Sequence, residues 1–195
     1  MILTVNEIVN LQAENIYEWH TNKHFTEEKL PIKFIVENNY WNYQLWHEED
    51  IARIKDIDPV RMVEAKRNID HYNQQRNNSM ESIDEWILTS LKTNNVLMAE
   101  KLHSETPGMM IDRLSIMALK KYHMLEEAVR PSATEAHRFN CKEKVAILEQ
   151  QIKDLSVCLT DVLHQLEKGV LGFKVYRQLK MYNDPSLNPQ LYNKK

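Results

Sequence analysis

Glycine is scarce in this chain, with three residues in 195. A β-rich fold uses glycine at its tight turns, so the scarcity favours long helices. Cysteine is scarcer still, at two. On one straight helix Cys141 and Cys158 would lie roughly 25 Å apart at ~1.5 Å per residue, well beyond disulfide reach. Buried, reduced thiols are expected, and two cysteines at this spacing make no zinc motif. An excess of either charge is also missing, since the net charge is −3. Nothing basic enough to attract nucleic acid stands out, and no acidic tail. No apolar run approaches the ~18–20 residues that span a bilayer. The segment from Met1 to Glu7 lacks the basic region, apolar run and cleavage site of a signal peptide. A soluble, cytoplasmic protein without a nucleic-acid partner or a membrane span is expected. There is no glycine-rich phosphate loop and no Gly-x-Ser-x-Gly elbow.

Six prolines stand at 31, 59, 107, 131, 185 and 189. None interrupts a periodic stretch, as expected if helices lie between them. Thr4 with Glu7 forms a capping box for a first helix, Val5 to His20. A second helix is expected from Ile32 to Ile54. Asp58-Pro59 opens a third that reaches Leu91, with a possible kink at Asn77-Asn78-Ser79. Thr106-Pro107 opens a fourth, ending near Arg130-Pro131. A fifth, capped by Ser132, runs to Lys168 with Val145, Leu148, Ile152, Leu155, Leu159, Val162 and Leu166 in a seven-residue repeat. Gly169 ends it. Val170 to Met181 reads as a short last helix. The tail beyond it reads as irregular, docked on the body through Leu187, Leu191 and Tyr192. These features predict an all-α, up-and-down bundle of five to six helices, with residues 1–195 forming one domain. The repeat on the fifth helix would also suit a homo-oligomer.

The chain's most unusual stretch is Trp41 to Asp84, where polar side chains recur at helical spacing in place of core residues. His47 and Asp50 share one face, and Glu49 and Arg53 the adjacent one. Such a set can ligate a divalent cation or divide acid and base roles, with His47, Glu49, Asp50 and Asp70 as candidate catalytic groups. A Glu49–Arg53 surface pair is the plainer alternative. Further on, Lys66, Asp70, Asn73, Arg76 and Asn77 continue to Glu81 and Asp84. Lys66 and Arg76 suit a phosphate or carboxylate. Glu81-x-x-Asp84, with Asp50, could hold magnesium or manganese. A closed interhelical network that sets register is the alternative. The fourth helix adds Asp112, Arg113 and Lys120 behind an N-terminus able to receive an anion. With Arg53, Lys66, Asn73, Arg76 and Asn77 these complete the candidate substrate-binding set. His24, His103, His137 and His164 show no ligand spacing. His71 and His123 sit close to these constellations, with simple exposure as the alternative, and Trp41, Trp46 and Trp86 read as core.

The combination resembles a bacterial family known as domain of unknown function 4254. The resemblance rests on Leu45-Trp46-His47 with Glu49-Asp50-x-Ala52-Arg53, and on Ile69-Asp70 with Asn73-Gln74 and Arg76-Asn77. It rests also on Glu105-Thr106-Pro107-Gly108 with Asp112-Arg113-Leu114-Ser115-Ile116 and Leu119-Lys120, and on the closing Lys180-Met181-Tyr182-Asn183-Asp184-Pro185. Asn78 departs from the pattern, where Asp is expected. The resemblance implies no established activity. It does imply a setting in lipopolysaccharide and related surface-glycan assembly, hence a nucleotide sugar, a sugar phosphate or a glycan-pathway protein as partner.

Three readings follow. The chain is an enzyme on a phosphorylated small molecule or nucleotide sugar, with magnesium or manganese held by carboxylates. Or it is a non-catalytic helical scaffold whose polar residues pair with one another. Or it binds a small molecule without turnover. An acidic pair on the third helix is similar to that of all-helical nucleoside triphosphate pyrophosphohydrolases, but His47-x-x-Asp50 replaces the Glu-x-x-Glu expected on the preceding helix.

Overall fold

The computed structural model describes residues 4–21, 29–181 and 184–192. Among these the chain is all-α, with helices α1 (Val5–His20), α2 (Ile32–Ile51), α3 (Pro59–Thr93), α4 (Pro107–Val129), α5 (Glu135–Glu167) and the single turn α6 (Pro189–Tyr192). Local chemistry sets most of the starts. Thr4 Oγ1 accepts from the Glu7 amide at 3.3 Å, and Glu7 Oε2 accepts from the Thr4 amide at 2.6 Å. Asp58 Oδ1 accepts from the Val60 and Arg61 amides, and Thr106 Oγ1 from the Met109 amide. Each cap satisfies amides that the first turn leaves without a partner.

α3 runs as one helix through Asn77-Asn78-Ser79, and the Ser79 and Ser82 hydroxyls donate to carbonyls one turn back. α2 stops at Ile51, a turn before the expected Ile54. Ile54 is exposed, so no packing holds that turn. The α5 cap is Thr134 rather than Ser132, because Thr134 Oγ1 is the group that accepts from the His137 amide, at 3.2 Å. Both cysteines are free. Cys141 is buried, but Cys158 is exposed.

The expected helix from Val170 to Met181 does not form. Gly169 takes a positive φ of 66° and turns the chain back. The Gly172 amide then donates to the Lys101 carbonyl, and the His103 amide to the Gly172 carbonyl. A Cβ on Gly172 would sit 2.5 Å from the Ala99 carbonyl oxygen, so only glycine allows this approach. Leu171 and Phe173 enter the core as part of an extended strap, while Tyr176 and Leu179 face outward. Leu187, Leu191 and Tyr192 are exposed, so the tail is not anchored through them. Tyr182 and Asn183 lie outside the described residues, as does His24.

α2 packs along α3 and α4 along α5, with α1 laid against α4 and α2. The main apolar cluster gathers the start of α1, the second half of α3, the start of α4 and the second half of α5, including Val5, Ile83, Leu114, Leu159 and Leu166. The α5 repeat supplies much of it. What remains, toward the end of α1, along α2 and in the second half of α4, sets polar and aromatic side chains beside buried aliphatic ones such as Ile16, Leu45 and Leu119.

Candidate functional site

The anomalous polar stripe on α2 resolves first into a network. Asn38, Asn39 and Asn42 are buried, as are Asp112 and Ser115 on α4. Asp112 Oδ1 accepts from Asn38 Nδ2 at 2.9 Å and from Asn42 Nδ2 at 3.0 Å. Arg76 grips the same carboxylate from α3, with Nε at 2.8 Å from Oδ1 and Nη2 at 2.5 Å from Oδ2. This pairing holds the Arg76 guanidinium above its ordinary range. Ser115 Oγ donates to Asn39 Oδ1, Asn39 Nδ2 to the Gln12 carbonyl, and Gln12 Nε2 to the Ile111 carbonyl. Four helices are thus joined by one chain of hydrogen bonds. Buried polar groups need such partners, and most here supply them to one another, although Gln12 Oε1 and Asn38 Oδ1 have none.

The other residues singled out from sequence are spread around this network. Glu49 pairs with Arg53 on the surface of α2, as in the plainer alternative. Lys66 pairs with Asp70 on the surface of α3. Asn73 is half-buried and Asn77 buried on the same helix. Glu81 accepts from Arg177 and from the Gln178 amide, which ties the C-terminal strap to α3. Asp84 Oδ1 accepts from the Gly108 amide at 2.7 Å. Burial raises the Asp84 carboxyl to about 6. Arg113 pairs with Glu105, while Asp50 and Lys120 are exposed. The carboxylates proposed for a cation, Asp50, Glu81 and Asp84, are therefore not brought together as a ligand set. Trp41, Trp46 and Trp86 are half-buried, and Trp86 packs against the main apolar cluster as expected.

Among the described residues one group does converge in ligand geometry. It is His20 from the last turn of α1, His47 from α2 and His123 from α4. One ring nitrogen from each lies within 4.8 Å of the others. Ring centroids are 5.1 Å (His20–His123), 5.2 Å (His20–His47) and 5.8 Å (His47–His123) apart. The Nε2 atoms of all three are buried and have no hydrogen-bond partner. Two of the rings are held through Nδ1. His20 Nδ1 lies 2.7 Å from the Ile16 carbonyl and must donate to it, which leaves Nε2 as the free position. His123 Nδ1 lies 2.9 Å from Glu126 Oε2, and a carboxylate there fixes the same tautomer.

Aromatic rings enclose the cluster. Tyr122 stacks on His20 at 4.1 Å, Trp46 stacks on His123 at 4.7 Å, and Tyr43 meets His47 edge-on at 4.5 Å. Burial lowers the His47 and His123 imidazoles below their ordinary range, and for both the neighbouring His20 adds to the effect. Lowered imidazoles are neutral near pH 7, the form that binds a metal. Asp50 and Glu126 oppose these shifts, so negative charge lies close to both rings.

His20 and His123 escape a search for ligand spacing, because each of the three histidines comes from a different helix. A different signal was available. Of the eight histidines, these three alone follow an aromatic residue directly, as Trp19-His20, Trp46-His47 and Tyr122-His123. The aromatic partners are the enclosing rings just described, apart from Trp19.

Fold and site together define an all-helical protein with three convergent imidazoles set in an aromatic shell. The chain belongs to the family described as "Protein of unknown function (DUF4254)", whose family model matches residues 32–175. That span includes His47, His123 and the whole Asp112 network on α2, α3 and α4, but not α1 with His20. Comparison with curated proteins and with solved structures gives no match.

Proposed function

We propose that this protein binds a first-row divalent transition metal, zinc foremost, on His20, His47 and His123, and uses it as a Lewis acid. Two observations carry the reading: one ring nitrogen from each histidine lies within 4.8 Å of the others, and the Nε2 atoms of all three are buried and unpartnered. Leaving three such atoms without partners costs stability, and a metal would satisfy all of them at once. Around a tetrahedral zinc the three nitrogens would stand roughly 3.3 Å apart, given Zn–N bonds of ~2.0–2.1 Å. Nitrogen donors favour zinc, copper, nickel or iron over the magnesium or manganese suggested by the carboxylates.

Three protein ligands leave a coordination position for water or substrate, the pattern of catalytic rather than structural zinc sites. A metal held there would acidify a bound water, to a pKa of about 7 in favourable sites. In this reading Asp50, whose charge together with that of Glu126 acts on His47 and His123, is the proton acceptor. Glu126 positions His123. The Arg76–Asp112 network takes the other role foreseen for the polar stripe, that of an internal structure fixing helix register. Arg76 and Lys66 are already paired, so that stripe is not favoured as a phosphate cradle.

The test is metal content after chelation and dialysis against zinc. One zinc per chain is expected, with a rise in melting temperature of roughly 5–10 °C at a hundredfold excess over Kd. His47→Ala and His123→Ala should lose both effects, and His164→Ala neither. Retention of stoichiometric zinc by the first two variants would overturn the reading. Millimolar magnesium should not shift the melting temperature.

A further inference from the structure

The repeat that turns α5 inward, through Cys141, Val145, Leu155 and Leu159, has a counterpart on the opposite face of the same helix. Phe139, Glu143, Ala146, Gln150, Lys153 and Val157 alternate spacings of four and three, and all six are exposed. Such spacing keeps one face in line along a helix of 3.6 residues per turn. Phe139 and Val157, at the two ends, are 60% and 62% exposed. The helices packed on α5 among the described residues are α4 and α1, and neither covers this stripe. Two large apolar groups are thus held in solvent on one straight face.

The order of the stripe is self-complementary. Turned end for end about Leu148, it sets Phe139 opposite Val157, Glu143 opposite Lys153, and Ala146 opposite Gln150. A two-fold axis across an antiparallel helix pair makes that reversal, since residue i of one copy then meets j of the other and j meets i. We propose that α5 packs antiparallel against α5 of a second copy of this chain through this stripe. Each Phe139 is covered by a Val157, which removes apolar surface from water. Small Ala146 beside the axis lets the two backbones approach closely. Glu143 and Lys153 make no ion pair among the described residues, so both are free to pair across the axis, twice over. Such charges add little affinity but fix orientation and register. A parallel pair would set Glu143 on Glu143 and Lys153 on Lys153, which like charges oppose. Ile147, 57% exposed, lies next to its own copy on one flank of the axis. On the other flank Glu149 would face its own copy, but Lys121 holds that carboxylate at 2.8 Å and offsets its charge. The pairing involves none of the three histidines and is independent of the metal reading.

The experiment is sedimentation equilibrium of the full chain under reducing conditions, so that no disulfide through exposed Cys158 contributes. A reversible monomer–dimer equilibrium in the micromolar range is expected. Glu143→Lys and Lys153→Glu each set like charges opposite one another and should weaken the dimer at least tenfold. The two changes combined restore opposite charges and should bring the dimer back to within about threefold of wild type. Phe139→Asp should also weaken it at least tenfold. All these positions are exposed, so helical content by circular dichroism and zinc uptake should stay at the wild-type level. A chain that remains monomeric at about 200 µM, far above the micromolar range, would overturn the proposal. So would a dimer that neither single charge change weakens, or a combined variant no tighter than the single ones.

Discussion

Asp112 shows how far a single side chain can organise a polar interior. Its carboxylate is shared by Arg76, Asn38 and Asn42, from two other helices. Asp112→Ala would strand the Arg76 guanidinium and two buried amides at once. The expected loss is about 3–5 kcal/mol, because removing one partner of a buried pair leaves the other uncompensated. Asp70→Ala should cost under about 1 kcal/mol, since the Lys66–Asp70 pair is largely solvated. Denaturant unfolding of the two variants should separate them clearly. From sequence alone both aspartates looked alike, as polar residues near a helical stripe. Depth distinguishes them, and depth depends on what packs opposite.

Asp84 makes a related point about pH. Its carboxyl lies near 3.8 in the unfolded chain and is raised to about 6 by burial on folding. A raised folded value means the associated stability is fully present below pH 3.8 and is lost as pH rises through about 6. The expected slope is about 1.4 kcal/mol per pH unit across that window. His47 and His123 act in the opposite sense. Their lowered folded values contribute stability above about 6.5 that is lost as pH falls through the folded values. Asp84→Asn should remove the first slope and leave the second, as read by denaturant unfolding between pH 4 and 7.

Among the elements, the caps were the most legible. Thr4, Asp58 and Thr106 act within one turn of chain, so sequence and structure agree on where α1, α3 and α4 begin. The segment after Gly169 was not legible, because its form is decided by a distant partner. Phe173, Tyr176 and Leu179 have helical spacing, yet backbone pairing with residues 101–103 draws the chain out into a strap. The α3–α4 contact depends on close approach at Gly108. A Cβ there would meet the Met80 carbonyl oxygen at 2.5 Å and Asp84 Oδ1 at 2.8 Å. The first is backbone and cannot swing aside, and the second is a side-chain oxygen held in place by the Gly108 amide. Gly108→Ala is expected to push the start of α4 off α3, costing about 1–3 kcal/mol, as measured by thermal melting. Nothing comparable limits an exposed position such as Leu125 on the same helix.

At the scale of the whole molecule the apolar cluster and the functional groups divide the bundle. One part is held by α5's repeat and the residues it packs against, and the other by the Asp112 network and the histidines. The all-α fold was readable from helical periodicity and the scarcity of glycine. The histidine cluster was not, because α1, α2 and α4 each contribute one ligand and no spacing within a helix can reveal that. Metal bound there would tie α1 to the helices of the family-matched region, and amide exchange near the end of α1 should slow when zinc is added.

The most direct test is zinc K-edge X-ray absorption on the loaded protein. Three imidazole nitrogens at about 2.0–2.1 Å and one oxygen ligand in the same shell are expected. In His123→Ala the imidazole contribution should fall. A shell of oxygens without imidazole scattering, or a spectrum unchanged in that variant, would contradict a metal centre on His20, His47 and His123.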